Sequence, residues 1–200
     1  MRLAKRIYCI EGHWDYGNRE VEPSVEPILQ MLRSMGHWDQ YARRDCATAE
    51  ECYFFLESEW SRCRKGSVLY FATHGDSGEI WLSQNQVVPL ETLSAKEVDC
   101  SGCLVHFSGC NVLAADGEAR ARKFMNGTGA TYVSGYTRET GWADIMDPPA
   151  LALELILFSS ISTLSVDLTD GRSRPKMMTL AVELRKSFKT CGFKLFSKWD

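Results

Sequence analysis

No part of this chain is apolar for the roughly 20 consecutive residues that a membrane-spanning helix requires. The most apolar stretch, Pro148 to Leu164, is interrupted by Glu154 and by a group of serines, so membrane association is not expected. An excess of basic charge is missing as well: 23 Lys and Arg against 26 Asp and Glu leave a formal charge of -3. Without a cationic footprint the electrostatic attraction that holds proteins on phosphate backbones is weak, and nucleic acid is not an expected partner. Neither G-x-G-x-x-G nor G-x-x-x-x-G-K-[ST] follows a predicted strand, which removes the usual nucleotide cradles. The run MRLAKRIYCIEGHWDYG has too short an apolar core for a signal peptide and no small-residue cleavage site, so a cytoplasmic location is expected. Internal repeats and low-complexity tracts are wanting too.

Cysteine, by contrast, is plentiful. Cys9, Cys46, Cys52, Cys63, Cys100, Cys103, Cys110 and Cys191 would suit a disulfide framework in a short secreted chain, but nothing else points to an oxidising compartment, and free thiols are expected. Cys100-Ser-Gly-Cys103 has the spacing of half a zinc site, without the second pair of ligands. No metal and no cofactor are therefore expected. A hydrophobic content of 44% over 200 residues suffices for a sizeable core, and residues 1–200 are read as a single domain.

Apolar patterning predicts alternating strands and helices. Arg6 to Ile10 reads as a first strand, and Val25, Ile28, Leu29, Leu32 and Met35 fall on one helical face. Gln40 to Arg44 suits a short strand, and Thr48 with Glu51 three residues on forms a capping box that opens a second helix. Ser67 to Ala72, Cys103 to Phe107 and Ala130 to Ser134 are short apolar runs of the kind buried on both faces of a parallel sheet. Helices are predicted over Glu118 to Met125, Pro149 to Phe158 and Met177 to Phe188, with a polar loop from Ser165 to Lys176. The expected fold class is a three-layer α/β/α sandwich around a mainly parallel sheet, because parallel strands need crossovers that helices supply.

Such sheets place ligands beyond the carboxyl ends of their strands. His74-Gly75 follows one buried run, Gly109-Cys110 a second, and Tyr136 to Asp144 a third. A cysteine nucleophile needs a base and oxyanion donors, which strand-end loops can hold together. Most free cysteines are small buried hydrophobes, and a lone histidine is more often structural than catalytic. His106, inside an apolar run, is expected to be a paired buried residue, and His13 and His37 look like loop positions. Asp116 and Glu118 are both candidates to orient His74, and spacing selects neither.

Taken in order, these segments resemble the clan CD cysteine peptidases, the caspase-like group that includes CHAT domains and separase. Val68-Leu-Tyr-Phe-Ala-Thr-His74-Gly75 is similar to that group's hydrophobic strand with His-Gly, and Leu104-Val-His-Phe-Ser-Gly-Cys110 to its strand ending at the nucleophile. Ala121 to Phe124, Gly129 to Tyr136 and Trp142-Ala-Asp144 resemble the CHAT segments that follow the cysteine. The resemblance implies a caspase-like fold, His74 as general base, Cys110 as nucleophile and Gly75 as oxyanion donor. It further implies substrate contacts at Tyr136, Trp142 and Asp144, with Asp144 reading a basic P1 residue and Asp147 competing for that role. Gly109-Cys110, where CHAT segments often carry Ala-Cys, is nearer the caspase pattern, in which arginines select Asp; Arg138 would serve that purpose if turned inward. The expected function is cleavage of a specific protein partner as an effector of a bacterial defence or cell-death system, under a regulatory or activating partner. The alternative is a catalytically silent scaffold on the same fold.

Overall fold

The computed structural model describes residues 6–14, 24–63, 65–96, 98–140 and 150–200. The short apolar runs form the middle of one six-stranded sheet. Its strands are β1 (Arg6–Glu11), β2 (Gln40–Asp45), β3 (Val68–Ala72), β7 (Leu104–Phe107), β8 (Tyr132–Tyr136) and β9 (Phe193–Ser197), in the order β2-β1-β3-β7-β8-β9. All neighbours are parallel except β8 and β9. The register aligns Ile7, Val68, Leu104 and Tyr132 across the sheet.

Period-two alternation sends successive residues of each strand to opposite faces, and both faces are covered. On one face Ile7, Cys9, Val68, Tyr70, Leu104 and Tyr132 pack with α1 (Glu26–Ser34), α5 (Ala150–Thr163) and α6 (Arg174–Ser187). On the other, Tyr8, Ile10, Leu69, Phe71, Val105 and Phe107 pack with α2 (Ala49–Ser58), α3 (Leu90–Ala95) and α4 (Gly117–Thr128). Burial on both faces is why the central strands read as unbroken apolar runs. The Thr48 capping box forms as predicted: the Thr48 hydroxyl accepts from Glu51 N, and the Glu51 carboxylate accepts from Thr48 N.

The structure departs from the sequence reading in several elements, α3 and β9 among them. Directly after β3 the chain folds into a three-stranded antiparallel sheet of β4 (His74–Asp76), β5 (Glu79–Ser83) and β6 (Gln86–Pro89). The β4–β5 turn is made by Ser77 at φ 32° and Gly78 at φ 90°, a pair of left-handed residues that matches the twist of a tight hairpin. At the other end, α6 begins at Arg174 with Pro175 in its first turn, so the predicted loop is shorter than residues 165–176. Among the described residues no helix is long and apolar enough to cross a membrane.

Candidate active site

The carboxyl ends of β1, β3, β7 and β8 lie along one edge of the sheet, and backbone hydrogen bonds stitch the loops there. Gly12 N donates to Ala72 O (3.0 Å), Ser108 N to Phe71 O (2.8 Å), Asn111 N to Arg138 O (3.1 Å) and Leu113 N to Tyr136 O (2.9 Å). His74 and Cys110 leave β3 and β7, which are adjacent strands, and their loops touch. A Cβ added to Gly109 would lie 3.0 Å from His74 O and 3.1 Å from Gly75 N. One added to Gly75 would lie 2.5 Å from the Val112 side chain and 2.7 Å from Glu79 O. Glycine at both positions is thus a steric requirement for bringing the two loops together. Asn111, next to the cysteine, has φ 56°; a non-glycine left-handed residue is a local strain of the kind found at functional turns.

The thiol and the imidazole are each held by backbone groups. The Cys110 sulfur accepts from Thr140 N at 3.3 Å and lies 3.5 Å from Thr140 O. His74 Nε2 is 2.7 Å from the carbonyl oxygen of Trp14, and the two rings meet edge to face at 5.3 Å. A carbonyl only accepts, so Nε2 carries the hydrogen, and in the neutral ring Nδ1 is the acceptor nitrogen. The partner observed at Nε2 is the Trp14 carbonyl and not a carboxylate; of the sequence candidates, Glu118 is paired with Arg122 at 2.8 Å. A backbone carbonyl has no side-chain signature, so the only trace of Trp14 in the sequence is its place just past β1 on the same edge.

Exposure separates Cys110 from most of the other thiols. None of the eight is in a disulfide, and only Cys63 and Cys110 are partly exposed. Burial pushes the Cys52 and Cys103 thiols up to about 12, and raises Cys9, Cys46 and Cys100 as well. Among the described residues no group of three or more His, Cys, Asp or Glu is arranged to hold a metal ion.

A second constellation, invisible to pattern reading, lies beneath the edge. His106 Nδ1 meets Ser134 Oγ at 2.8 Å and its Nε2 meets Glu154 Oε1 at 3.1 Å. Glu154 also accepts from Ser108 Oγ (2.6 Å), Tyr136 OH (3.0 Å) and Tyr70 OH. Ser134, His106 and Glu154 have the connectivity of a catalytic triad, but all three are 0% exposed, so no substrate reaches them. His106 is therefore the paired buried residue that was expected. Tyr136 requires a correction: its side chain is fully buried and its hydroxyl is spent on Glu154, so that side chain offers no surface to a substrate. Trp142 and Asp144, with Asp147, lie outside the described residues. Arg138 is exposed and, with Arg185, Lys189 and Lys194, rims a cleft of about 250 Å³ floored by Phe188 and Phe193.

This strand order, with a histidine loop and a cysteine loop on neighbouring parallel strands, defines a caspase-like α/β fold. The Drosophila initiator caspase Dronc is similar with a TM-score of 0.54 at 10% identity, over 96% of this chain and 79% of that one. Pro-sf-caspase-1 is similar with the same score and identity, over 96% and 90%. At the level of sequence, the profile of the family of unknown function DUF6642 matches residues 4–161, and the chain belongs to that family. No curated protein matches in sequence.

Proposed function

We propose that the protein is a cysteine endopeptidase of the clan CD type, acting through Cys110 and His74. The observation that carries the reading is the close approach of the Gly109 backbone to the backbones of His74 and Gly75, which brings the loop of a partly exposed thiol against the loop of an imidazole whose Nε2 is tied to a carbonyl. In this reading His74 Nδ1 takes the thiol proton and the sulfur attacks the scissile carbonyl. The Gly75 amide, in the wall of the site, receives the developing oxyanion. His74 returns the proton to the leaving amine, and water hydrolyses the remaining thioester.

The substrate is a protein, met in the cytoplasm, and residues 1–200 work as one peptidase domain. The resemblance of Ala121 to Asp144 to CHAT segments favours kinship with CHAT-domain and separase-like peptidases, and with it an effector role in bacterial defence under a regulatory partner. Trp142 and Asp144 would then line the substrate cleft, with Asp144 receiving a basic P1 side chain. The cationic cleft around Arg138 favours the opposite, an acidic side chain close to the scissile bond. A peptide library varied at P1 separates these. Cleavage after Arg or Lys supports Asp144, cleavage after Asp or Glu supports Arg138, and either must vanish in Cys110→Ala and His74→Ala. Wild type that cleaves none of the library, with or without cell extract, would favour the silent scaffold.

A further inference from the structure

The last residue of β1 is a carboxylate that the proposed chemistry does not use. Glu11 is only 2% exposed, a costly place for a charge unless every lone pair is satisfied. Here they are. Oε1 accepts from Trp14 Nε1 (2.9 Å) and Val25 N (2.7 Å), and Oε2 from Ser24 Oγ (3.0 Å) and Arg43 (2.5 Å). Arg43 is itself held by Glu26 at 3.3 Å and by Asp45. The carboxylate is thereby fixed from β2, from the start of α1 and from the loop after β1. Of its four donors, the Trp14 indole leads to the edge where His74 stands.

Trp14 is fixed at both ends. Its indole N–H donates to Glu11, its ring packs on the edge of the His74 ring, and its carbonyl accepts from His74 Nε2. We infer that Glu11 is a positioning residue for His74: by holding the Trp14 indole it aims the Trp14 carbonyl at Nε2 and so keeps the imidazole in the Nε2–H tautomer. Outer partners of this kind commonly set the tautomer of a working histidine. The consequence for peptide cleavage rests on the peptidase reading; the effect on the tautomer does not.

The test is the tautomer of His74, read from long-range proton–nitrogen correlations in the full chain labelled at histidine nitrogen, with His74→Gln supplying the assignment. Trp14→Phe keeps an aromatic ring and the backbone carbonyl while removing the indole N–H that Glu11 accepts. Ser24→Ala removes a different bond to the same carboxylate. The inference predicts pure Nε2–H in wild type and in Ser24→Ala, and a mixed population in Trp14→Phe, with peptide cleavage slowed about tenfold, the kind of loss expected when an outer-shell orienting contact is removed. If Trp14→Phe leaves the tautomer unmixed, or if Ser24→Ala mixes it equally, Glu11 is merely structural and the inference falls. A mixed tautomer in Trp14→Phe alongside a wild type that cleaves no peptide would uphold the positioning role and count against the peptidase reading alone.

Discussion

Of the eight thiols, those buried in the packed layers are held neutral, and this has a measurable cost at high pH. Cys52 and Cys103 are raised from 9.0 to about 12, chiefly by burial. In the unfolded chain they ionise near their ordinary value, while in the folded protein they keep their protons. Above pH 9 the unfolded state therefore binds fewer protons than the native one, and stability falls as pH rises towards 12. Melting followed by circular dichroism should show the midpoint dropping steadily over that range. The drop should be shallower in a Cys52→Ala, Cys103→Ala double variant, even though its starting stability is lower. An equal slope in the two proteins would mean that these thiols are not the titrating groups.

Within the apolar layer that packs α5 on the sheet, one buried carboxylate gathers polar groups from three strands. Glu154 accepts from Tyr70 on β3, from Ser108 just past β7 and from Tyr136 on β8, and meets His106 of β7. Replacing it with leucine strands these buried polar groups at once, and we expect a loss of about 3–5 kcal/mol, the range for breaking a buried charged network. Urea unfolding measures it, and a loss below about 1 kcal/mol would show that water or repacking satisfies the orphaned groups.

How much of the elements was legible follows from the same physics. Strands buried on both faces declare themselves as apolar runs, and Thr48 with Glu51 declares a helix start; both are local signals. The three-stranded β4–β6 sheet was also written locally, in the Ser77-Gly78 turn and in the alternating burial of Glu79 to Ser83. It lay hidden because His74-Gly75 reads equally well as a strand-end loop. Strand β9 alternates as Phe193-Lys-Leu-Phe-Ser, a period easily merged with the helix before it. In the candidate site, His74, Gly75 and Cys110 were readable because strand ends and glycines mark them. The Trp14 carbonyl and the burial of Tyr136 were not, since each depends on which chain segment packs opposite.

At the scale of the molecule, the sheet carries a helical layer on each face, and the candidate site lies at the carboxyl edge. The outer strand β2 carries Arg43 and Arg44, both engaged in ion pairs with Glu11 and Glu59, which makes a poor template for pairing with another strand. The carboxyl edge, by contrast, gathers the ends of four strands, and there the partly exposed thiol and the tethered imidazole share adjoining loops. The central claim is that this edge is a working cysteine peptidase site. It is tested most directly by treating the folded protein with peptidyl acyloxymethyl ketones bearing Arg, Lys, Asp or Leu at P1 and locating the adduct by mass spectrometry. The account predicts a single adduct on Cys110 with one class of P1 residue, absent in Cys110→Ala and strongly slowed in His74→Ala. No adduct with any probe, or labelling that persists in Cys110→Ala, would contradict it.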